Sequence, residues 1–241
     1  MTTTSGLSHR LHPDEMADAV ARAVASGGRF VGLVASGSRG GSTLLRAIVA
    51  DAGHHLVLWE SELGSDRDHF PSLTPLVPAA FWYERQIHDL FGVTPIGHPR
   101  LDPLAFPVHG SGHGRARPGR PEEGAPVEPD TASLAGHVEG EGVFTIPYGP
   151  VRSGVFETVE YLVETFGEDI PRVRVRPYLK HRGVARRFDR LGSGDGVLLA
   201  ERVEGTMSVA HACAFSQTVE TLAGVEPPQC AQYQRLVHAE I

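Results

Sequence analysis

The sequence predicts an α+β protein in two modules. An antiparallel sheet with packed helices comes first, then a linker, then a β-hairpin followed by long helices. Three observations carry this. Short strand-like runs recur between residues 29 and 60, parted by turn residues. Amphipathic helical patterns flank them at 13–26 and from Pro78 onward. Composition then shifts over 109–138, where Gly, Pro, Arg, Glu and His replace apolar residues, before apolar patterning resumes. The modules are 1–107 and 139–241, and the linker is 108–138.

The chain of 241 residues is 41% hydrophobic and 21% charged, as a globular protein is. Its net charge of -7 argues against a nucleic-acid partner. Two cysteines, Cys213 and Cys230, cannot build a disulfide framework or a zinc ribbon, and a reducing compartment is the default. Both are expected to be buried small hydrophobes. No apolar run reaches transmembrane length, and the first nine residues lack a signal-peptide core. Membrane association would therefore come through partners.

Taken in order, Pro13-Asp14-Glu15 opens the first helix, with Met16, Val20 and Val24 as its stripe. Strands follow over 29–35, 43–50 and 55–60, an antiparallel meander with helices on one face. The turn between the first two ends Gly40-Gly41-Ser42-Thr43. It lacks the lysine that a phosphate-binding loop needs and joins strands, so it reads as a hairpin turn. His109, His113 and His137 lie in the linker with no cysteine nearby and read as solvated rather than metal-bound.

Residues 78–99 are the most informative stretch. Helical spacing places Phe81, Glu84, Arg85 and His88 on one side, and Tyr83, Ile87, Leu90 and Phe91 on an apolar stripe. Gly92 ends the helix as a C-cap glycine does. Glu84, Arg85 and Asp89 are charges in an otherwise aromatic helix. They are expected to pair with a partner surface or with the Gly97-His98-Pro99 turn.

In the second module 142–147 is a strand, and 155–166 and 170–179 make a hairpin across Gly167-Glu168-Asp169. A helix begins at His181-Arg182-Gly183. One long buried helix is expected over 196–222. Pro227-Pro228 breaks it before a final helix from Gln229.

The ordered series Tyr83-Glu84-Arg85, Asp89-Leu90-Phe91-Gly92, Gly97-His98-Pro99 resembles the hallmark of the C subunit (30-kDa type) of NADH–quinone oxidoreductase, respiratory complex I. Pro71-Ser72-Leu73-Thr74 stands where that family has its lead-in, and the likeness covers roughly 44–107. The second module resembles the first part of the D subunit (49-kDa type) and the large subunit of membrane-bound nickel–iron hydrogenases. The turn Tyr148-Gly149-Pro150-Val151-Arg152-Ser153-Gly154 carries this, with His181-Arg182-Gly183, Leu199-Ala200-Glu201-Arg202-Val203, and Ala231-Gln232-Tyr233-Gln234-Arg235. A C-type module ahead of a D-type module is similar to the large subunit of formate hydrogenlyase-type complexes. The D-type fold continues beyond residue 241 in that family, so the chain reads as a fragment.

The departures narrow the chemistry. Glu204 and Met207 stand where the hydrogenases carry their first two thiolates, while Gly205 and His211 keep their places. Glu is a hard ligand and Met a weak one, so no metal site is expected on this chain. The resemblance makes Tyr148, Arg152, Ser153, Gly205 and Met207 candidates for lining a quinone pocket. Glu204 and His211, two turns apart if on one helix, are candidates for a buried proton relay; the alternative is a structural pair. A dry setting would raise the Glu204 pKa.

The resemblance implies a peripheral-arm subunit of a membrane-bound complex that passes electrons to a quinone-like acceptor. It would bind no cofactor itself. Iron–sulfur clusters would sit on partners, including a small subunit and membrane subunits, at the cytoplasmic face of the inner membrane. The alternative is a scaffold subunit without redox chemistry.

Overall fold

The computed structural model describes residues 8–37, 41–53, 55–101, 104, 140–149, 159–176, 182–189 and 191–240. Their elements are mixed α and β. They divide into two compact units, one within 5–144 together with 164–172, the other within 145–163 and 173–241.

The first unit opens with β1 (Ser8–Arg10) and α1 (Pro13–Ala25). His12 caps α1: its ring accepts the Asp14 amide at 3.4 Å, and Glu15 reaches back to the His12 amide at 3.4 Å. That reciprocal box satisfies amides the helix start leaves open. Met16, Ala17 and Val20 form the buried stripe.

β2 (Arg29–Gly37), β3 (Thr43–Ala50) and β4 (Leu56–Leu63) are the antiparallel meander the sequence predicts. β1 adds a parallel edge to β4, giving the order β1-β4-β3-β2. This edge strand is too short and polar for sequence patterning to find. Strand alternation sends Leu45, Ala47 and Val49 inward to Met16, Val20, Leu33 and Leu63. Each large apolar side chain fully buried there stabilises the unit by about 1.5–3 kcal/mol.

Across the other side of the sheet runs a polar belt. Arg46 donates to Glu60 at 2.7 Å and to Ser36 at 3.1 Å, and Ser8 donates to Glu60 at 3.0 Å. One such line ties all four strands.

A small parallel pair, β5 (His69–Pro71) with β6 (Thr94–Ile96), follows the sheet. Between them a 3-10 turn at Pro78–Ala80 leads into α2 (Phe81–Phe91). Gly92 ends α2 in the left-handed conformation, φ 70°, with its amide on the His88 carbonyl. That conformation favours glycine.

The last elements are β7 (Phe144–Tyr148), β8 (Glu160–Thr165) and β9 (Arg172–Arg176), in the order β7-β8-β9, then α3 (Val184–Phe188), α4 (Ser193–Ala200), α5 (Ser208–Ala223) and α6 (Gln229–Glu240). The single long helix expected over 196–222 is two helices. The Glu204 carboxylate turns forward to Thr206, and Arg182 takes the carbonyls of Arg202 and Val203, so the chain leaves the helix between 201 and 207.

Nor is most of that segment buried: α4 buries Gly196 and Ala200, while α5, like α6 after it, contains no buried residue. Their apolar side chains are spread around the helices, and Leu222 is 71% exposed. Cys213 is half-buried and Cys230 exposed, which corrects the expectation that both are core residues. What holds α4 to α5 is a close approach at Gly196. A Cβ there would lie 2.3 Å from the Phe215 ring, which stacks on Phe188 at 5.3 Å. Glu220 and Arg235 join α5 to α6 through two parallel bonds of 2.9 and 2.5 Å. The linker over 108–138, with His109, His113 and His137, lies outside the described residues.

Candidate functional site

In the first unit the chemistry-bearing residues of α2 turn inward. Glu84 is 0% exposed, and a carboxylate taken from water is costly unless its acceptors are filled. They are filled by the turn before the helix. Ser72 donates through its hydroxyl at 2.7 Å, Leu73 through its amide at 2.6 Å and Thr74 through its amide at 3.3 Å; the Thr74 hydroxyl donates as well. His98 stands 3.9 Å away across the Gly-His-Pro turn. The Arg100 amide donates to its Nδ1 at 3.1 Å, so the ring proton sits on Nε2 and points to the Phe81 carbonyl at 3.2 Å.

Asp89 accepts the Leu104 amide at 2.6 Å. Arg85 is buried, and its guanidinium lies over the rings of Phe81 and Trp82 at 5.4 and 5.1 Å. Tyr83 donates its hydroxyl to the Val31 carbonyl at 3.1 Å. Glu84 lies beside the Gly-His-Pro turn, 3.9 Å from His98, but its hydrogen bonds come from Ser72, Leu73 and Thr74. The expectation that these charges meet a partner surface is corrected: Glu84, Arg85 and Asp89 are buried and engaged within the chain. Their burial comes from turns that wrap α2, which helical periodicity does not register.

In the second unit the relay candidates part company. Glu204 lies in the loop before α5, and His211 lies in the first turn of α5, so they do not share one helix face as expected. The Glu204 carboxylate accepts the Thr206 hydroxyl at 2.6 Å and the Thr206 amide at 3.2 Å. These bonds, chiefly the hydroxyl, hold its carboxyl below the usual carboxylate range, with a small contribution from His211. The dry setting and raised pKa expected from its apolar neighbours are therefore corrected: α5 is exposed, and local donors outweigh desolvation.

Met207 is 61% exposed and Tyr148 54% exposed, with its ring 6.3 Å from Tyr161. Gly205 is exposed. Arg152, Ser153 and His181 lie outside the described residues. Arg182 is exposed and donates to the carbonyls of Arg202 and Val203.

Sequence reasoning missed an open cleft lined by Asp14, Arg67, His69, Pro71 and Ile96. Arg67 pairs there with Asp14 and keeps its carboxyl low. No motif spans these residues.

Comparison with known proteins bears on both units. Residues 43–122 match the family described as respiratory-chain NADH dehydrogenase, 30 Kd subunit. This stretch is thus similar to the complex I 30-kDa-type domain.

The similarity runs on past that domain. Hydrogenase-4 component G of Escherichia coli (strain K12) is 31% identical over 192 residues, 73% of this chain and 33% of that protein. Formate hydrogenlyase subunit 5 of the same organism is 28% identical over 75% of this chain and 33% of that protein. The C/D subunit of NADH-quinone oxidoreductase from Shewanella oneidensis is 27% identical over 80% of this chain and 34% of that protein. The chain thus spans about a third of the length of the curated relatives it matches. A solved structure of the trypsin-resistant fragment of Nqo5 covers 39% of this chain and 81% of that fragment, at 19% identity and a TM-score of 0.36.

The Glu84 lock, built on Pro71-Ser72-Leu73-Thr74, α2 and Gly97-His98-Pro99, lies wholly inside the 30-kDa-type domain. The Glu204 loop lies outside it. Among the described residues no three His, Cys, Asp or Glu side chains come together as a metal site would need. Among them, too, no helix is long and apolar enough to cross a membrane.

Proposed function

We propose that this chain is a peripheral-arm subunit of a membrane-associated oxidoreductase complex of the complex I and formate hydrogenlyase kind, and that it serves there as a scaffold. The 30-kDa-type domain and the names of the relatives support the assembly. Electrons would travel on iron–sulfur clusters held by partner subunits. The chain would sit at the cytoplasmic face of the membrane through those partners.

The observation that carries the scaffold role is Glu204. Its carboxyl is held low by Thr206. A general acid works best with a pKa near the operating pH, and a low value makes a poor proton donor. Met207 beside it offers only a thioether.

The second reading gives Glu204 and His211 a part in proton delivery to a quinone-like acceptor, with Tyr148, Arg152, Ser153, Gly205 and Met207 around it.

Two measurements separate these readings. Recovery of the tagged chain from membranes of its own host in a multisubunit assembly with an iron–sulfur protein is expected; a free monomer refutes the assembly. Glu204→Gln in the assembled complex should then leave turnover unchanged. A loss of roughly 10²–10⁴ with assembly intact would transfer the role to acid–base chemistry.

A further inference from the structure

We infer that Arg182 is the positioning residue of the 201–207 loop, a guanidinium clamp on the backbone that fixes where Glu204 is presented. The inference goes beyond the scaffold reading and stands on the hydrogen bonds of the loop, whether or not Glu204 takes part in chemistry.

The end of α4 leaves a run of carbonyls without helical partners. Most find one nearby. The Glu201 amide takes the Val197 carbonyl at 3.0 Å, the Arg202 amide that of Leu199 at 3.0 Å, and the Val203 amide that of Ala200 at 3.1 Å. The Arg202 side chain takes the Leu198 carbonyl at 2.6 Å. The carbonyls of Arg202 and Val203 point away from the helix, and Arg182 closes on both. Its Nη1 donates to Arg202 at 3.1 Å and its Nη2 to Val203 at 2.5 Å. Adjacent carbonyls met by adjacent nitrogens suit the planar fork of arginine. An ammonium presents no such fork. A cation is also favoured where carbonyl dipoles end a helix.

The clamp stops one residue short of Glu204. Beyond it, the carboxylate turns forward to Thr206, just before Met207, the cap residue of α5, which makes no side-chain cap of its own. The loop is therefore anchored twice: upstream through its backbone by Arg182, downstream through the Glu204 side chain. Between the anchors only Glu204 itself bridges. Freeing the upstream anchor lets the carboxylate swing from Thr206, so a residue 22 positions away in sequence governs its orientation.

The test uses the full chain and needs neither partner nor turnover. Amide hydrogen exchange is followed at residues 202–207, and the carboxyl carbon of Glu204 is titrated by nuclear magnetic resonance. Arg182→Ala is expected to speed exchange at these amides at least about tenfold and to move the Glu204 titration up toward its ordinary value. Arg182→Lys, able to reach one carbonyl at a time, should fall between. Thr206→Val should shift the Glu204 titration while leaving exchange at 202 and 203 as it was. Unchanged exchange and titration in Arg182→Ala overturn the assignment. Loss of all α5 signals in that variant also overturns it, because Arg182 would then be a folding residue. Either result leaves the membership in a complex untouched, since that depends on assembly alone.

Discussion

Replacing Glu84 with Gln tests the lock at the centre of the 30-kDa-type domain. The change keeps the side-chain shape and removes one acceptor. In the native site one carboxylate oxygen receives Leu73, and the other receives Ser72 and Thr74. A glutamine can keep its carbonyl toward Ser72 and Thr74, but its amide then faces the Leu73 amide. Two buried donors are left pointing at each other. Each unsatisfied buried donor costs about 1–3 kcal/mol, so the variant should lose roughly 2–6 kcal/mol. That is a large share of the total stability of about 5–15 kcal/mol typical of a domain.

Trp59 and Trp82 are the only tryptophans of the chain, and both lie in this unit, so fluorescence in urea reports on it. With a slope of about 1–3 kcal/mol per molar, the midpoint should fall by at least about 0.7 M at unchanged slope. A fall in stability under about 1 kcal/mol would refute the view that the carboxylate, rather than the surrounding apolar core, fixes these turns.

Two further outcomes follow from the second unit. Arg235 holds the Glu220 carboxyl below its ordinary value. The pair therefore stabilises the α5–α6 hairpin above the ordinary carboxylate range, and this contribution is lost as pH falls through the lowered Glu220 value. Glu220→Gln should flatten that acid limb in a helix-monitored pH titration, and an unaltered limb would show the pair to be idle. Gly196→Ala should lower the thermal midpoint of the helical unit by an amount corresponding to about 1–3 kcal/mol, because the added methyl meets the Phe215 ring. Gly196→Ala together with Phe215→Leu should recover part of that loss, and a wild-type midpoint for the single variant would mean the helices part freely.

The motif over 78–99 is readable because it is local. A helix of known phase, a glycine stop and a histidine turn all declare themselves within a few residues. The destination of its charges is not readable in the same way. Glu84 meets Ser72 and Thr74 only because the chain folds back through two short parallel strands, β5 and β6, whose three residues each carry too little pattern to be seen. In the second unit, apolar content over 196–222 suggests a buried rod. A backbone clamp from Arg182 and the forward turn of Glu204 onto Thr206 break it, and hydrophobic composition records neither.

The α+β class, the meander with its strand positions and the helix ending at Gly92 are all set by residues close together in the chain. Each follows from periodicity and turn chemistry, which act over neighbouring positions. Which charges are buried, that β1 joins the sheet in parallel, and that Glu204 is presented in a loop with a lowered pKa emerge only on folding. The burial of Glu84 and the tie of β1 to β4 depend on donors and acceptors brought together from positions 10 to 52 residues apart, such as Thr74 with Glu84 and Ser8 with Glu60. A hydrogen bond is short and directional, so its partner is fixed only once the chain has closed around it.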